Sequence, residues 1–111
     1  MRKYGNTQVT VGGIVFDSQK EAYRWCELQM LERGKAIRDL QRQGPYQLMP
    51  NQRDENGQLI ERAVKYVADF VYTDCKTGRM VVEDTKGMKT KDYIIKRKLM
   101  LYIHGIRIRE V

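Results

Sequence analysis

The segment that most constrains this chain is "KYVADFVYTDCKTGRMVVEDTK", Lys65 to Lys86, in which two apolar, β-branched and aromatic runs flank a turn-forming "DCKTGR". Such a pattern predicts an antiparallel hairpin. Three acids lie inside it, Asp69, Glu83 and Asp84. A carboxylate within a packed sheet is costly unless a cation or hydrogen bonds compensate it. The turn decides which acids meet. A two-residue tip at Lys76-Thr77 and a four-residue tip with Asp74 opposite Arg79 give one register, in which Phe70 meets Glu83, Asp69 meets Asp84 and Val67 meets Lys86. Opposed side chains share a face, with Cβ atoms about 4.5 to 5.5 Å apart. Asp69, Asp84 and Lys86 are therefore expected on one face and Glu83 on the other, whereas an odd-length tip would set Asp69 opposite Glu83 or Thr85.

Two carboxylates so placed repel each other, and a divalent cation between them removes the conflict. Mg2+ or Mn2+ takes oxygen ligands, typically one or two carboxylates with water and phosphate. Lys86 would then stand beside the phosphate. The alternative is structural: Asp69 forms a salt bridge with Lys86 or Lys65, and Glu83 and Asp84 occupy a solvated strand end.

The other segments fit around this hairpin. "VTVGGIVF" reads as a small hairpin about Gly12-Gly13. "DSQKEAYRWCELQMLERG" reads as a helix starting at Asp17 or Ser18, with a broad apolar face from Ala22, Trp25, Cys26 and Leu28 to Leu31, and a C-cap at Gly34. "AIRDLQRQGPYQLMP" is extended, with Gly44-Pro45 marking a bend or an edge strand. Asn56-Gly57 is a tight-turn signal leading into the Asp69 strand. Thr90 is a candidate N-cap for "KDYIIKRKLMLYIH", which Gly105 stops, and "IRIREV" closes the chain as a strand. The order predicts an α+β (mixed α/β) fold: a central mixed four-stranded sheet, with one helix before and one after a three-strand meander. The last strand follows a helical crossover and can lie parallel to an earlier one.

At 111 residues the chain suits a single domain, residues 1–111. Its net charge of +7 and pI near 9.5 favour a polyanion such as nucleic acid, or an anionic membrane surface. No apolar run approaches the roughly 20 residues of a membrane span, and the first residues lack the core of a signal peptide, so the expectation is a cytoplasmic protein with no membrane partner. Cys26 and Cys75 have no metal-ligand spacing and read as free thiols. His104, before Gly105, is placed to meet the last carbonyls of its helix.

"ADF" on one hairpin strand and "EDTKG" on the next, preceded by "FDSQKEA" on a helix, resemble the PD-(D/E)XK nuclease superfamily. More narrowly, "VGGIVFDSQKEA", "IRDLQRQ", "YVADFVY", "VVEDTKG" and a lysine-rich helix before "GIRIREV" resemble a phage-associated family of small nuclease-like proteins, the domain of unknown function 1064. The superfamily's proline is absent, since Ala68 precedes Asp69. The resemblance implies a restriction-endonuclease-like core and a Mg2+- or Mn2+-dependent DNA endonuclease. In that scheme Asp69, Asp84 and Lys86 form the catalytic motif, Asp69 and Asp84 hold the metal with the Thr85 carbonyl and Glu21, and Gln43 matches a glutamine of some branches. A branched substrate such as a Holliday junction, cut by a homodimer during phage recombination or replication, follows as the expected setting. The rival class is a non-catalytic nucleic-acid-binding module or replication-complex adaptor that keeps the fold.

Several of these residues also have structural readings. In "SQKE", Ser18 and Glu21 form a capping box, which is compatible with metal support by Glu21. Gln43 suits a strand residue bonded to backbone. Lys89, Lys91 and Lys96 belong to a cationic run that is either the solvated face of a helix or, beside a metal site and a helix N-terminus, a set of phosphate contacts.

Overall fold

The N-terminal hairpin forms as its alternation predicts, β1 (Val9–Val11) pairing antiparallel with β2 (Ile14–Phe16) and Val11 opposite Ile14. Gly12 and Gly13 both adopt positive φ, 58° and 81°, which a two-residue turn of this hand requires. These features come from a computed structural model that describes residues 7–85 and 87–111; Lys86 thus lies outside the described residues. Two compact units divide the chain: one comprises the residues up to Leu40 with Tyr72–Met80, the other Gln41–Val71 with Val81–Val111.

In the first unit, α1 (Gln19–Arg33) starts at Ser18, whose extended backbone and side-chain oxygen receive the Glu21 N–H at 3.1 Å. Its buried side is narrower than its composition suggests. Glu21, Ala22 and Leu28 are buried beside Phe16, Trp25 and Cys26 are partly covered, and Met30 and Leu31 are exposed. The helix packs on β1 and β2, with the Phe16 and Trp25 rings 6.5 Å apart.

Gly34 caps α1 as expected, but it is not the left-handed residue. Gly34 has an ordinary φ of −78°, and the left-handed position falls on Lys35, φ 62°. Lys35 N–H donates to Glu32 O and Ala36 N–H to Leu31 O, the paired bonds of a Schellman motif with lysine at its left-handed residue. A side chain there costs roughly 1 to 2 kcal/mol relative to a right-handed conformation. Lys35→Gly is therefore expected to stabilise the protein by about 0.5–1 kcal/mol, after the greater unfolded-state entropy of glycine is set against the relieved strain. Urea denaturation of the variant checks this.

The main sheet has four strands in the order β3 (Ile37–Met49), β6 (Val64–Asp74), β7 (Met80–Asp84), β8 (Arg109–Glu110). β3 is an edge strand, which tolerates Pro45, and it contains two positive-φ residues, Asp39 (56°) and Gln43 (53°). Between β3 and β6 lies a separate antiparallel pair, β4 (Gln52–Arg53) and β5 (Leu59–Glu61). Its turn is organised by Asp54, whose Oδ1 accepts from Asn56 N–H and Gln58 N–H while Gly57 takes φ 81°. The expected three-strand meander lacks this pair, because the Asn56-Gly57 turn leads into β5 before the chain reaches the Asp69 strand.

The β6–β7 turn has a four-residue tip: Asp74 N–H donates to Arg79 O at 2.9 Å and Gly78 N–H to Asp74 O at 2.7 Å. After β7 the chain crosses through α2 (Lys91–His104) and returns as β8 parallel to β7, with Glu83 opposite Arg109 and Asp84 opposite Glu110. Thr90 caps α2 by accepting the Tyr93 N–H, and Gly105, φ 66°, ends it in the left-handed conformation. His104 does not fold back on its own helix; its Nε2 hydrogen-bonds Gln47 O at 2.7 Å, a β3 carbonyl. The core of this second unit joins Leu48, Tyr66, Ala68, Val71, Val82, Tyr93, Met100 and Ile108. The chain is therefore mixed α+β, with a four-stranded mixed sheet and, among the described residues, two helices.

Candidate active site

Apolar residues draw the end of β7 inward, and its acids go with them. Glu83 is 0% and Asp84 1% exposed, so neither sits at a solvated strand end. Within β6, Tyr66, Ala68 and Phe70 alternate as buried positions while Lys65 and Val67 are exposed and Asp69 is half-buried. This period of two presents the Tyr66 ring to the core shared with Val82 and Tyr93.

From there Tyr66 donates its hydroxyl to Asp84 Oδ2 at 2.6 Å. A bond of that length from a hydroxyl to a carboxylate is of the strong, charge-assisted kind. Asp69 binds one residue further along: its Oδ2 accepts both the Thr85 N–H and the Thr85 hydroxyl, each at 2.7 Å. β7 ends at Asp84, so the first amide beyond the strand is satisfied by the Asp69 side chain. The Asp69 side chain thus reaches the residue that follows Asp84. On the other side, Val111 N–H donates to Asp84 O at 3.0 Å and fixes the Asp84 backbone.

Next to Asp84 in register is Glu110, which gathers three donors. Tyr93 donates its hydroxyl at 2.7 Å, Arg97 donates at 3.0 Å and the Lys89 ammonium lies at 3.1 Å. These contacts, the Tyr93 hydrogen bond foremost, hold the Glu110 carboxyl down at about 2. Burial, aided by the carboxylates they serve, pushes the Tyr66 and Tyr93 phenols well above their ordinary range. Both tyrosines are accordingly neutral donors at working pH. Because the folded pKa of Glu110 is depressed, its contribution to stability is present above the unfolded value near 4.5 and is lost as pH falls towards 2. Glu110→Gln is expected to remove that part of the acid dependence, seen as a shallower fall of the thermal midpoint between those two pH values.

The remaining candidates divide. Glu21 lies in the other unit, buried, with its amide capped by Ser18, which is one half of the expected capping box. Gln43 occupies an exposed position with a left-handed backbone. Lys89 is paired with Glu110 and Lys96 with Asp92 at 3.6 Å, and Lys91 is exposed at the first turn of α2. Sequence reasoning did not single out Tyr66 or Glu110. The signal for Tyr66 is its place two residues before Ala68 on the buried alternation of β6, whereas nothing in "IRIREV" marks Glu110 until the parallel register of β8 is known.

Asp69 and Asp84 offer oxygen ligands of the type a hard divalent cation takes, and Asp69 Oδ1 receives no hydrogen bond among the described residues. Their donor chemistry fits Mg2+ or Mn2+. Their number does not complete a protein-only cage: among the described residues, no group of three or more His, Cys, Asp or Glu side chains is arranged to hold a metal. Water, a backbone carbonyl or substrate phosphate must supply the rest, as is usual for magnesium.

The chain is thus a basic, mixed α+β protein in which Asp69 bonds the residue that follows Asp84 at the end of a central strand. The chain belongs to the DUF1064 family, described as a protein of unknown function, which matches residues 1–109. Neither the curated proteins nor the solved structures contain a significant match to it. Among the described residues, no helix is long and apolar enough to cross a membrane.

Proposed function

We propose that this protein is a metal-dependent DNA endonuclease of the PD-(D/E)XK type, with a restriction-endonuclease-like core. Its substrate is proposed to be branched DNA such as a Holliday junction, cut by a homodimer in phage recombination or replication within the host cytoplasm. The observation that supports this best is that Asp69 bonds Thr85, the residue between the buried Asp84 and Lys86. Asp84 is 1% exposed, and a buried ionised carboxylate is costly unless charge or hydrogen bonds compensate it.

In this reading Asp69 and Asp84, with the Thr85 carbonyl, would hold Mg2+ or Mn2+. The metal supplies a bound water of lowered pKa and neutralises charge building on the phosphate. Tyr66 keeps the Asp84 carboxylate oriented, and the Thr85 amide and hydroxyl do the same for Asp69. Lys86 is proposed to place its ammonium beside the scissile phosphate, where a compact charge stabilises the transition state.

The test is incubation of the protein with junction, flap, single-stranded and linear duplex DNA in Mg2+, Mn2+ or EDTA, beside Lys86→Ala. Metal-dependent cutting that Lys86→Ala suppresses supports the proposal. Failure to cut any of these DNAs with either metal overturns it. The rival is a nucleic-acid-binding module that keeps the fold without catalysis. That reading predicts DNA binding of equal strength in EDTA and in Mn2+, with no cleavage.

A further inference from the structure

Between the second half of α2 and the approach to β8, all within the second unit, lies a cavity of about 320 Å³ lined by Arg97, Lys98, Leu101, Arg107, Ile108 and Glu110. Three of these side chains are cationic and one is acidic, and the acid is already engaged by Tyr93, Arg97 and Lys89. Lys98 and Arg107 form no ion pair among the described residues. The cavity therefore has an unbalanced positive wall, beside the apolar side chains of Leu101 and Ile108 that weaken screening by water.

Arg97 is already oriented. Its guanidinium is held by Glu110 at 3.0 Å and lies 5.9 Å from the centre of the Tyr93 ring. A planar fork fixed in this way suits an oxyanion better than a mobile ammonium does. One residue past Leu101, Tyr102 is 87% exposed, and it stands one helical turn from Lys98 on the same side of α2. An exposed ring beside a cationic groove is the arrangement by which proteins stack unpaired bases while tracking their backbone.

We propose that this cavity holds a backbone phosphate of an unpaired nucleic-acid strand, through Arg97, Lys98 and Arg107, with an adjacent base stacked on Tyr102. The proposal rests on the reading that the protein acts on nucleic acid, and it adds single-stranded DNA, as found at branch points and flaps, as the recognised element. Its residues are distinct from Lys89, Lys91 and Lys96.

The test is fluorescence anisotropy in EDTA, with a labelled oligothymidylate and a labelled duplex of equal length, titrated over a range of salt. Lys98→Ala combined with Arg107→Ala is expected to weaken single-strand binding by about tenfold and to lower the salt slope by about 1.4, two phosphates' worth for a single strand. Tyr102→Ala is expected to weaken single-strand binding by about fivefold or more and to leave duplex binding unchanged. An unaltered salt slope in the double variant overturns the proposal. So does a Tyr102→Ala variant that binds both DNAs as wild type does, or one that changes only the oligomeric state in sedimentation, since the ring would then belong to a protein contact. Because EDTA removes cleavage, a protein that binds as expected but never cuts DNA refutes the nuclease reading alone. A protein that cuts DNA but whose groove variants bind normally refutes this proposal alone.

Discussion

Asp84→Asn is expected to reduce metal-dependent DNA cleavage by at least about a hundredfold while leaving the thermal midpoint unchanged or higher. Asp84 is 1% exposed, and the Tyr66 hydroxyl that bonds it is a neutral donor whose pKa burial has pushed far up. That hydrogen bond therefore survives when the aspartate becomes neutral. Asparagine has nearly the same shape, and its carbonyl can still accept the Tyr66 hydrogen bond. The variant sheds the desolvation cost of a buried carboxylate, which is several kcal/mol per ion, and keeps the packing. An acid selected for structure gives the opposite result, a clear loss of stability on neutralisation. The paired measurement is thermal denaturation with and without Mn2+. A ligand present at about a hundred times its dissociation constant stabilises the wild type by about 2.7 kcal/mol and does nothing for a variant that has lost the site. If Asp84→Asn unfolds more readily and Mn2+ stabilises neither protein, the aspartate is structural.

The elements visible in the sequence were those fixed by local chemistry. Alternating β-branched residues, the Gly12-Gly13 and Asn56-Gly57 turns, and the Ser18, Thr90 and Gly105 caps each act within a few residues, and each forms where expected. The parallel return of the last strand was legible for a topological reason, since a helical crossover brings the chain back in the same direction. What stayed hidden depends on partners distant in sequence. The four-residue tip matches one predicted turn, yet counting through it does not reveal that Asp69 accepts from both the amide and the hydroxyl of Thr85. Tyr66 and Asp84 are 18 residues apart, and Tyr93 and Glu110 are 17 apart, so no local pattern announces either bond. The lysine run shows the same limit: charge alone could not reveal that Lys89 and Lys96 have acidic partners while Lys98 and Arg107 have none among the described residues. Composition gives only the chain's net positive charge, and packing indicates which cations have acidic partners.

Gly44→Ala is expected to cost about 1–3 kcal/mol, the range for overpacking a well-filled core. Gly44 is buried in β3, and a Cβ there would stand 2.6 Å from Val71 Cγ2 and 3.6 Å from Val71 Cβ. Real Cβ atoms do not approach so closely, so something must move. Val71 is 8% exposed, and its branched side chain is stiff about χ1, so it cannot swing away as the end of a long side chain could. β3 is an edge strand and can shift outward, which keeps the cost below that of a central position. The residue opposite the glycine, more than its conformation, is thus what demands a hydrogen in place of a side chain. Val71→Ala alone leaves a cavity and should also destabilise. Combined with Gly44→Ala, it removes the clashing methyl and admits the new one into the vacated space. The double variant is therefore expected to be more stable than the sum of the single losses predicts, by about 1 kcal/mol or more in a urea double-mutant cycle. Strict additivity would show that the strands separate at Gly44 without using the space at Val71, and the close approach of β3 to β6 would then not be what fixes glycine at this position.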